Sequence, residues 1–327
     1  MNERGAASGS MYPSTRDLYQ PMRLGRRLAG PVFGVACFAA TLTGVVVLAL
    51  LLGSLFISVS DRARPAGSSG VARLDGLRTA PSYLVGLTTR FRSSRPALAG
   101  YKAGVACTLW LLGLVAATAI PAGVGAAVFL EEYVPPGRIR RLIQTNIANL
   151  AGVPSIVYGI LGLAVFVRGF GFKSMALGPT LWSGALTLSL LILPIIVIAT
   201  QEALRTVPTS IRQAALALGA SRWQMVRDHV LPAALPGIMT GAILGLSRAI
   251  GETAPLIMVG AAASILAVPS SPGDAYTALP VEIYNYARNP NVGFRGVVSG
   301  GILVLLTLLL SMNAAAILLR NRTAPKR

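Results

Sequence analysis

The stretch Gln213-Ala-Ala-Leu-Ala-Leu-Gly219, followed by Leu231-Pro232, is rich in small residues and lies between long apolar segments. A chain does not need such a segment merely to sit in a bilayer. Gly219 is suited to a left-handed turn that would end one helix and start the next. The first helix would offer another protein a nearly flat face, formed by Ala214, Ala215 and Ala217. The alternative is an ordinary amphipathic hairpin on the membrane surface.

Two capping boxes are predicted around this turn. Ser210 is followed at the third position by Gln213, and Ser221 is followed in the same way by Gln224. In a capping box the first side chain accepts a hydrogen bond from the helix backbone and the second bonds back to the cap residue. The spacing therefore predicts two short helices within residues 201–236, which we call the coupling segment.

The composition places the chain in lipid. Of its 327 residues, 54% are hydrophobic and only 12% are charged, and its mean hydropathy is +0.65. A water-soluble domain with an ordinary surface is therefore excluded. Six stretches are long and apolar enough to span a bilayer: 31–59, 103–130, 146–167, 177–200, 237–268 and 297–319. We expect an all-α integral membrane protein with six transmembrane helices and the coupling segment between the fourth and fifth.

The distribution of basic residues predicts the orientation of these spans, although one loop does not fit that prediction. Most connecting segments follow the rule that Lys and Arg concentrate on the cytoplasmic side, with both termini inside. This orientation makes 1–30 a cytoplasmic N-terminal segment, 103–319 the core and 320–327 a cytoplasmic tail. It places 60–102 outside, where eight Lys and Arg residues argue against the rule. That loop is either a Gly-, Ser- and Pro-containing linker with a solvated basic face or an electrostatic attractor for an anion.

Signals for catalysis are missing from the sequence. There is no Gly-x-x-x-x-Gly-Lys-Ser/Thr run for ATP phosphates, and no Ser/His/Asp or Cys/His set lies outside the apolar spans. Cys37 and Cys107 each lie within an apolar span, and His229 is the single histidine. We therefore expect no catalytic residues and no metal site. The net charge of +18 suits anionic lipid headgroups and requires no nucleic acid.

Arg248 and Glu252 are ionisable residues within the fifth predicted span. Each costs roughly 2.5–3.5 kcal/mol near the bilayer centre, so such residues usually face a water-filled path or each other. Their i, i+4 spacing would let them share a helix face and neutralise one another. One interpretation is a purely structural ion pair. The other is a substrate path, in which the guanidinium offers phosphate-like oxygens its fork of donors.

Three further polar residues have two interpretations each. Ser155 and Tyr158 in the third span would line the same path. A proline kink at Pro154, with the freed carbonyl met by Ser155, explains them as well. Glu202 lies with Arg205 at the membrane exit beside the coupling segment, where a solvated ion pair is the alternative to a docking role.

The coupling segment resembles the cytoplasmic motif of the membrane subunits of binding-protein-dependent ABC importers. That motif reads Glu-Ala-Ala-x-x-x-Gly, then nine residues, then Ile-x-Leu-Pro, and this chain has Gln213 for Glu and His229 for Ile. The resemblance implies that a partner ATPase, which binds ATP and Mg, docks here. The implied docking residues are Glu202, Gln213, Ala214, Ala215, Gly219, Leu231 and Pro232.

Further blocks narrow the resemblance to phosphate-specific permeases of the PstA type. These blocks are 131–133, 146–159, 202–208, 247–255 and 279–285. The resemblance implies a bacterial cytoplasmic membrane importer of inorganic phosphate, with no cofactor in this chain. The implied partners are a homologous permease subunit, an ATPase dimer and an external phosphate-binding protein. A permease for molybdate or sulfate, and a scaffold or sensor without transport, remain as alternatives.

Overall fold

This computed structural model describes residues 24–62, 72–172, 174, 176–261, 265 and 267–323. The chain divides into two units, Met1–Ser54 and Leu55–Arg327. The first unit contains the larger part of helix α1, Leu24–Arg62, which is strongly apolar. Most of the predicted N-terminal segment 1–30 and the end of the predicted tail 320–327 lie outside the described residues.

Helices account for the regular structure of the described residues, so the predicted all-α class is confirmed. After α1 come eleven further α-helices: α2 Ala72–Thr89, α3 Lys102–Val128, α4 Arg138–Ala151, α5 Ser155–Gly162, α6 Leu181–Arg205, α7 Thr209–Ala217, α8 Arg222–Met225, α9 Leu231–Gly251, α10 Ala254–Val259, α11 Leu279–Ala287 and α12 Arg295–Thr323. Short π-helical turns extend three of them: Phe129–Tyr133 after α3, Leu163–Val167 after α5, and Val226–Val230 between α8 and α9.

Five helical segments of the described chain are long and apolar enough to cross a membrane: Val32–Arg62, Lys102–Tyr133, Leu181–Arg205, Arg222–Gly251 and Val292–Arg322. A sixth crossing is reached when Arg138–Ala151 and Ser155–Val167 are counted together, although they are bent by 99°. The structure thus agrees with six spans. It also agrees with a coupling segment between the fourth and fifth.

The third predicted span, 146–167, is not one helix. The chain bends between Ala151 and Ser155 because Pro154 has no N–H to donate and disfavours helical backbone at the residue before it. In the alternative interpretation of a proline kink, the part in which Ser155 meets the freed carbonyl is wrong. The hydroxyl of Tyr158 donates to the carbonyl oxygen of Leu150 at 2.8 Å instead.

The fifth predicted span, 237–268, is also interrupted. Helix α9 ends at Gly251, and Glu252 has extended backbone with φ −80° and ψ 117°. Pro255 lies in the first turn of α10, where its missing N–H costs nothing. The expectation of a continuous helix through Arg248 and Glu252 is therefore wrong.

The predicted loop 60–102 contains the helix α2. Several of its basic side chains have structural partners. Arg90 donates from Nη1 to the carbonyl oxygen of Ala97 at 3.0 Å, and Lys102 lies 4.8 Å from the centre of the Phe91 ring. Arg92 lies over the Tyr286 ring. These contacts favour the structural interpretation of those three charges, while the outer location of the segment stays a prediction.

The largest core cluster lies in the second unit, where α3, α6 and α10 pack together with the chain before α11. Small residues allow the close approach that membrane helices need. Gly159 is one example, because a Cβ atom there would lie only 2.7 Å from Cα of Pro255. This contact joins α5 to α10 and brings the two interrupted spans together.

Candidate functional site

The first part of the candidate site lies at the break in the fifth span, where α9 ends. Arg248 lies in the last turn of α9, and Glu252 is the first residue beyond that helix. Nε of Arg248 donates to Oε1 of Glu252 at 3.2 Å. The arginine side chain is 40% exposed, and in the described part of the chain its Nη1 and Nη2 atoms have no hydrogen-bond partner. The pair leaves most of the donor fork of Arg248 free for a ligand.

The structure brings Tyr158 into the same region. Tyr158 is buried on α5 and lies within electrostatic range of Arg248. Its neighbour Gly159 packs on Pro255, three residues beyond Glu252. Ser155 is half-buried one turn before Tyr158. Because the Tyr158 hydroxyl donates to Leu150, its proton is already engaged, and the path roles of Ser155 and Tyr158 stay predictions.

The turn of the coupling segment forms as predicted. Gly219 has φ +86°, in the left-handed region. Its N–H donates to the carbonyl oxygen of Leu216, and the N–H of Ala220 donates to that of Ala215, at 3.0 and 3.1 Å. These two bonds are the Schellman pattern, which satisfies the last carbonyl groups of α7.

One of the two predicted capping boxes is present. Ser221 and Gln224 bond reciprocally, with N···O distances of 3.3 and 2.8 Å. The box predicted for Ser210 and Gln213 is wrong, because α7 begins at Thr209 after Pro208 and has no side-chain cap. Proline fixes the entry into α7 without a cap. The second coupling helix continues from α8 through the π-helical turn into α9, so it has no end of its own.

The predicted docking residues divide into two groups. Five are exposed: Glu202, Gln213, Ala214, Gly219 and Pro232. Ala215 and Leu231 instead pack into a cluster with Val128, Val226 and other apolar residues of this chain. The expectation that Ala215 presents a face to another protein is therefore wrong, because its methyl group faces inward.

Two exposed apolar side chains at the tip of this hairpin were not predicted from the sequence. Leu218 is 91% exposed and Trp223 is 56% exposed. Both flank the Gly219 turn, and large apolar side chains so exposed mark contact surfaces. Their sequence signal was position: Leu218 directly precedes the helix stop at Gly219, and Trp223 lies two residues after the helix cap at Ser221.

Acidic residues at the end of α3 were also missed as ion-pair partners. Glu131 accepts hydrogen bonds from Nε and Nη2 of Arg205 at 3.1 and 3.3 Å and pairs with Arg140 at 2.6 Å. Arg205 also contacts Glu202 at 3.4 Å, so the predicted pair at the membrane exit exists and is extended. Glu132 pairs with Arg212 of α7. These contacts tie the ends of α3 and α6 to the coupling segment.

The sequence pattern of the family described as "Binding-protein-dependent transport system inner membrane component" matches residues 119–325. The chain belongs to this family. The match includes the coupling segment and the Arg248–Glu252 pair but neither α1 nor α2. Family membership makes the chain a multi-pass membrane component of such a transport system, and it agrees with the motif seen in the sequence.

Similarity to curated proteins supports the narrower resemblance to phosphate-specific permeases of the PstA type. The chain is 38% identical over 215 residues to the "Phosphate transport system permease protein PstA 1" of Mycobacterium tuberculosis, covering 65% of this chain and 68% of that protein. It is 35% identical over 214 residues to the Xylella fastidiosa PstA protein, covering 65% and 71%. It is 41% identical over 150 residues to the "Probable ABC transporter permease protein YqgI" of Bacillus subtilis. That match covers 46% of this chain and only 49% of the relative's length.

Solved structures share the fold at low sequence identity. One is a bacterial ABC transporter involved in the import of the polysaccharide alginate, with a TM-score of 0.60 and 15% identity, covering 90% of this chain and 99% of that chain. Another is the methionine ABC transporter MetNI in an inward-facing form, with a TM-score of 0.54 and 21% identity, covering 71% and 100%. These likenesses support the fold alone.

Proposed function

We propose that this chain is the membrane-spanning permease subunit of an ABC importer that moves inorganic phosphate into the cytoplasm. ATP hydrolysis in a separate ATPase subunit drives the movement, and this chain carries no catalytic residue. The proposal rests on family membership, on the PstA relatives and on the geometry at Arg248.

The observation that supports an anionic substrate is the partly free guanidinium of Arg248. Glu252 binds it through Nε only, which leaves Nη1 and Nη2 as donors for the oxygens of an anion. Glu252 neutralises part of the charge, so an anion would be held loosely enough to be released. A purely structural pair would be expected to use more of the donors.

The coupling segment supports an ATPase partner. Its exposed tip combines the left-handed turn at Gly219 with the apolar side chains of Leu218 and Trp223. Such a partly apolar projection suits insertion into a groove of another protein. The assembly we propose contains this chain, a homologous permease subunit, two ATPase subunits and an external phosphate-binding protein.

Reconstitution of the purified complex in liposomes tests the proposal. ATP-dependent uptake of labelled phosphate, supplied with the binding protein, is the expected result. Equal concentrations of unlabelled molybdate or sulfate should leave that uptake unchanged. Stronger uptake of either of those ions would assign another oxyanion. Absence of any ATP-dependent uptake would favour a scaffold or sensor.

A further inference from the structure

Glu132 and Arg212 form an ion pair between the end of α3 and the coupling segment. Nη2 of Arg212 donates to Oε1 of Glu132 at 2.8 Å, and Nε donates to Oε1 and Oε2 at 3.2 and 3.3 Å. The side chain of Arg212 is 19% exposed and that of Glu132 is 7% exposed. Because both groups are largely removed from water, solvent screens this pair much less than a surface pair.

Arg212 also holds the end of α6. Its Nη1 atom donates to the carbonyl oxygen of Val207 at 2.7 Å, and Nη2 donates to that of Leu204 at 2.9 Å. The last carbonyl groups of a helix have no partner within the helix, and a guanidinium can supply one. One side chain of α7 therefore joins the ends of two membrane spans. We call Glu132, Arg212 and the two carbonyl groups the clasp.

Apolar contact between α7 and the spans is slight. Ala215 is the buried residue among those described for α7, and it offers only a methyl group to the cluster around Val128 and Val230. Small apolar contacts allow sliding, whereas a planar guanidinium with five hydrogen bonds fixes distance and direction. The clasp is thus the directional connection from α7 to α3 and α6.

We propose that Arg212 is a positioning residue that transmits movement of the coupling segment, through Glu132 and the carbonyl groups of Leu204 and Val207 at the end of α6, to the membrane spans. The proposal rests on the proposed function only in requiring an ATPase partner, and not in the identity of the substrate. ATPase docking uses the exposed tip at Leu218 and Trp223, which the clasp does not touch. Loss of the clasp should therefore separate ATP hydrolysis from transport while the complex stays assembled.

The test uses the complete complex with Glu132→Gln, Arg212→Gln and the double variant. Glu132→Gln removes the charge but leaves the carbonyl bonds of Arg212 in place. Each variant should retain its co-purified ATPase and its ATP hydrolysis, while phosphate uptake per ATP hydrolysed falls at least about tenfold. The double variant should be no worse than the worse single variant, because the pair acts as a unit. Arg227→Gln is the matched control, because that arginine of the same segment is 69% exposed, and it should behave as wild type.

A second readout does not depend on phosphate. In a background with Cys37 and Cys107 replaced by serine, Leu244→Cys, one turn before Arg248 on α9, is labelled with a maleimide with and without vanadate-trapped nucleotide. The wild-type background should show a nucleotide-dependent change that Arg212→Gln abolishes. If phosphate uptake is absent but this labelling result holds, the substrate assignment fails and the clasp stands. Loss of the ATPase from the complex, or wild-type uptake per ATP in both single variants, would overturn the clasp.

Discussion

Arg248 meets Glu252 across the end of α9, with 3.2 Å between Nε and Oε1 and a change from helical to extended backbone between them. The pair is therefore held by two different backbone conformations rather than by one helix face. Because Glu252 contacts only Nε, it orients Arg248 but leaves the Nη1 and Nη2 donors unbonded among the described residues. The relationship between these two residues decides whether the site binds an anion or only holds the fold.

Replacing Arg248 by Lys separates the effect of the positive charge from the effect of the planar donor geometry. Lys keeps the positive charge that Glu252 requires but loses the planar fork of donors. We expect Arg248→Lys to leave the complex assembled and ATP hydrolysis measurable, yet to lower phosphate uptake at least tenfold, equivalent to roughly 1.4 kcal/mol at the limiting step. Uptake of labelled phosphate into liposomes measures this. Wild-type uptake would argue that charge alone suffices.

The double variant Arg248→Ala with Glu252→Ala tests the structural interpretation. Either single alanine substitution leaves one charge within the interrupted span without its partner, so assembly is expected to suffer. The double variant removes both charges and should restore assembly, measured by size-exclusion chromatography, but not uptake. Near-normal uptake by this variant would show that the pair holds helices together and does not contact the anion.

Gly219 offers a backbone test of the coupling segment. Its φ of +86° is unfavourable for residues with a side chain, by about 1–3 kcal/mol, and most so for β-branched ones. Apart from the two adjacent residues, no atom of the described chain lies within 4 Å of a Cβ placed there, so crowding by more distant residues of this chain does not contribute. We expect Gly219→Val to weaken ATPase co-purification and uptake together. Gly219→Asn, which tolerates this conformation better, should weaken them less; equal effects would exclude backbone conformation as the cause.

Glu282 of α11 predicts a pH-dependent stability. Its side chain is fully buried, and burial raises its pKa from 4.5 to about 7, with the nearby charge of Arg92 partly opposing that shift. Tyr101 and Tyr286 also lie close, and burial raises the pKa of both, so they stay neutral. A carboxyl group with a raised pKa binds its proton more tightly when folded. The free energy of unfolding should therefore fall as pH rises from about 4.5 to about 7, by up to ~3 kcal/mol.

Thermal unfolding at pH 5 and pH 8 measures that effect. Glu282→Gln should match wild type at pH 5 and exceed its melting temperature at pH 8, because the amide never carries the buried charge. Asp228→Asn, at a carboxylate that is 53% exposed, should keep the wild-type difference between the two pH values. The same pH slope in wild type and Glu282→Gln would contradict the assignment.

Membrane orientation is predicted from the basic residues and is tested by labelling. In a background with both native cysteines replaced by serine, Asn289→Cys should react with an impermeant thiol reagent in intact cells. Ser210→Cys in the coupling segment should react only after lysis. Both residues are exposed, so access to water does not distinguish them. The reverse pattern would place the coupling segment outside.

Local patterns in the sequence were enough to predict much of the fold. Apolar length predicted the spans, because a bilayer requires a minimum number of apolar residues whatever the partners. The left-handed turn at Gly219 and the capping box at Ser221 were predicted correctly, because each depends on hydrogen bonds over a few residues. The box at Ser210 failed because Pro208 determines where α7 begins, and the two competing local signals could not be ranked from spacing alone.

Contacts between distant residues depended on the tertiary structure. The sequence identified Arg248 and Glu252 as a pair, but only the break after Gly251 showed that the pair spans a helix end and leaves donors free. Arg212 and Glu132 are 80 residues apart in the chain. Ala215 faces inward, although the run of small residues around it suggested a face exposed to a partner protein. The sequence by itself determined which segments enter the membrane and where they turn, because these depend on local hydrogen bonding and transfer free energy. Which side chains meet was decided only by the packing of α3, α6 and α7, because neither a distant ion pair nor an inward-facing methyl group leaves a periodic signal in the chain.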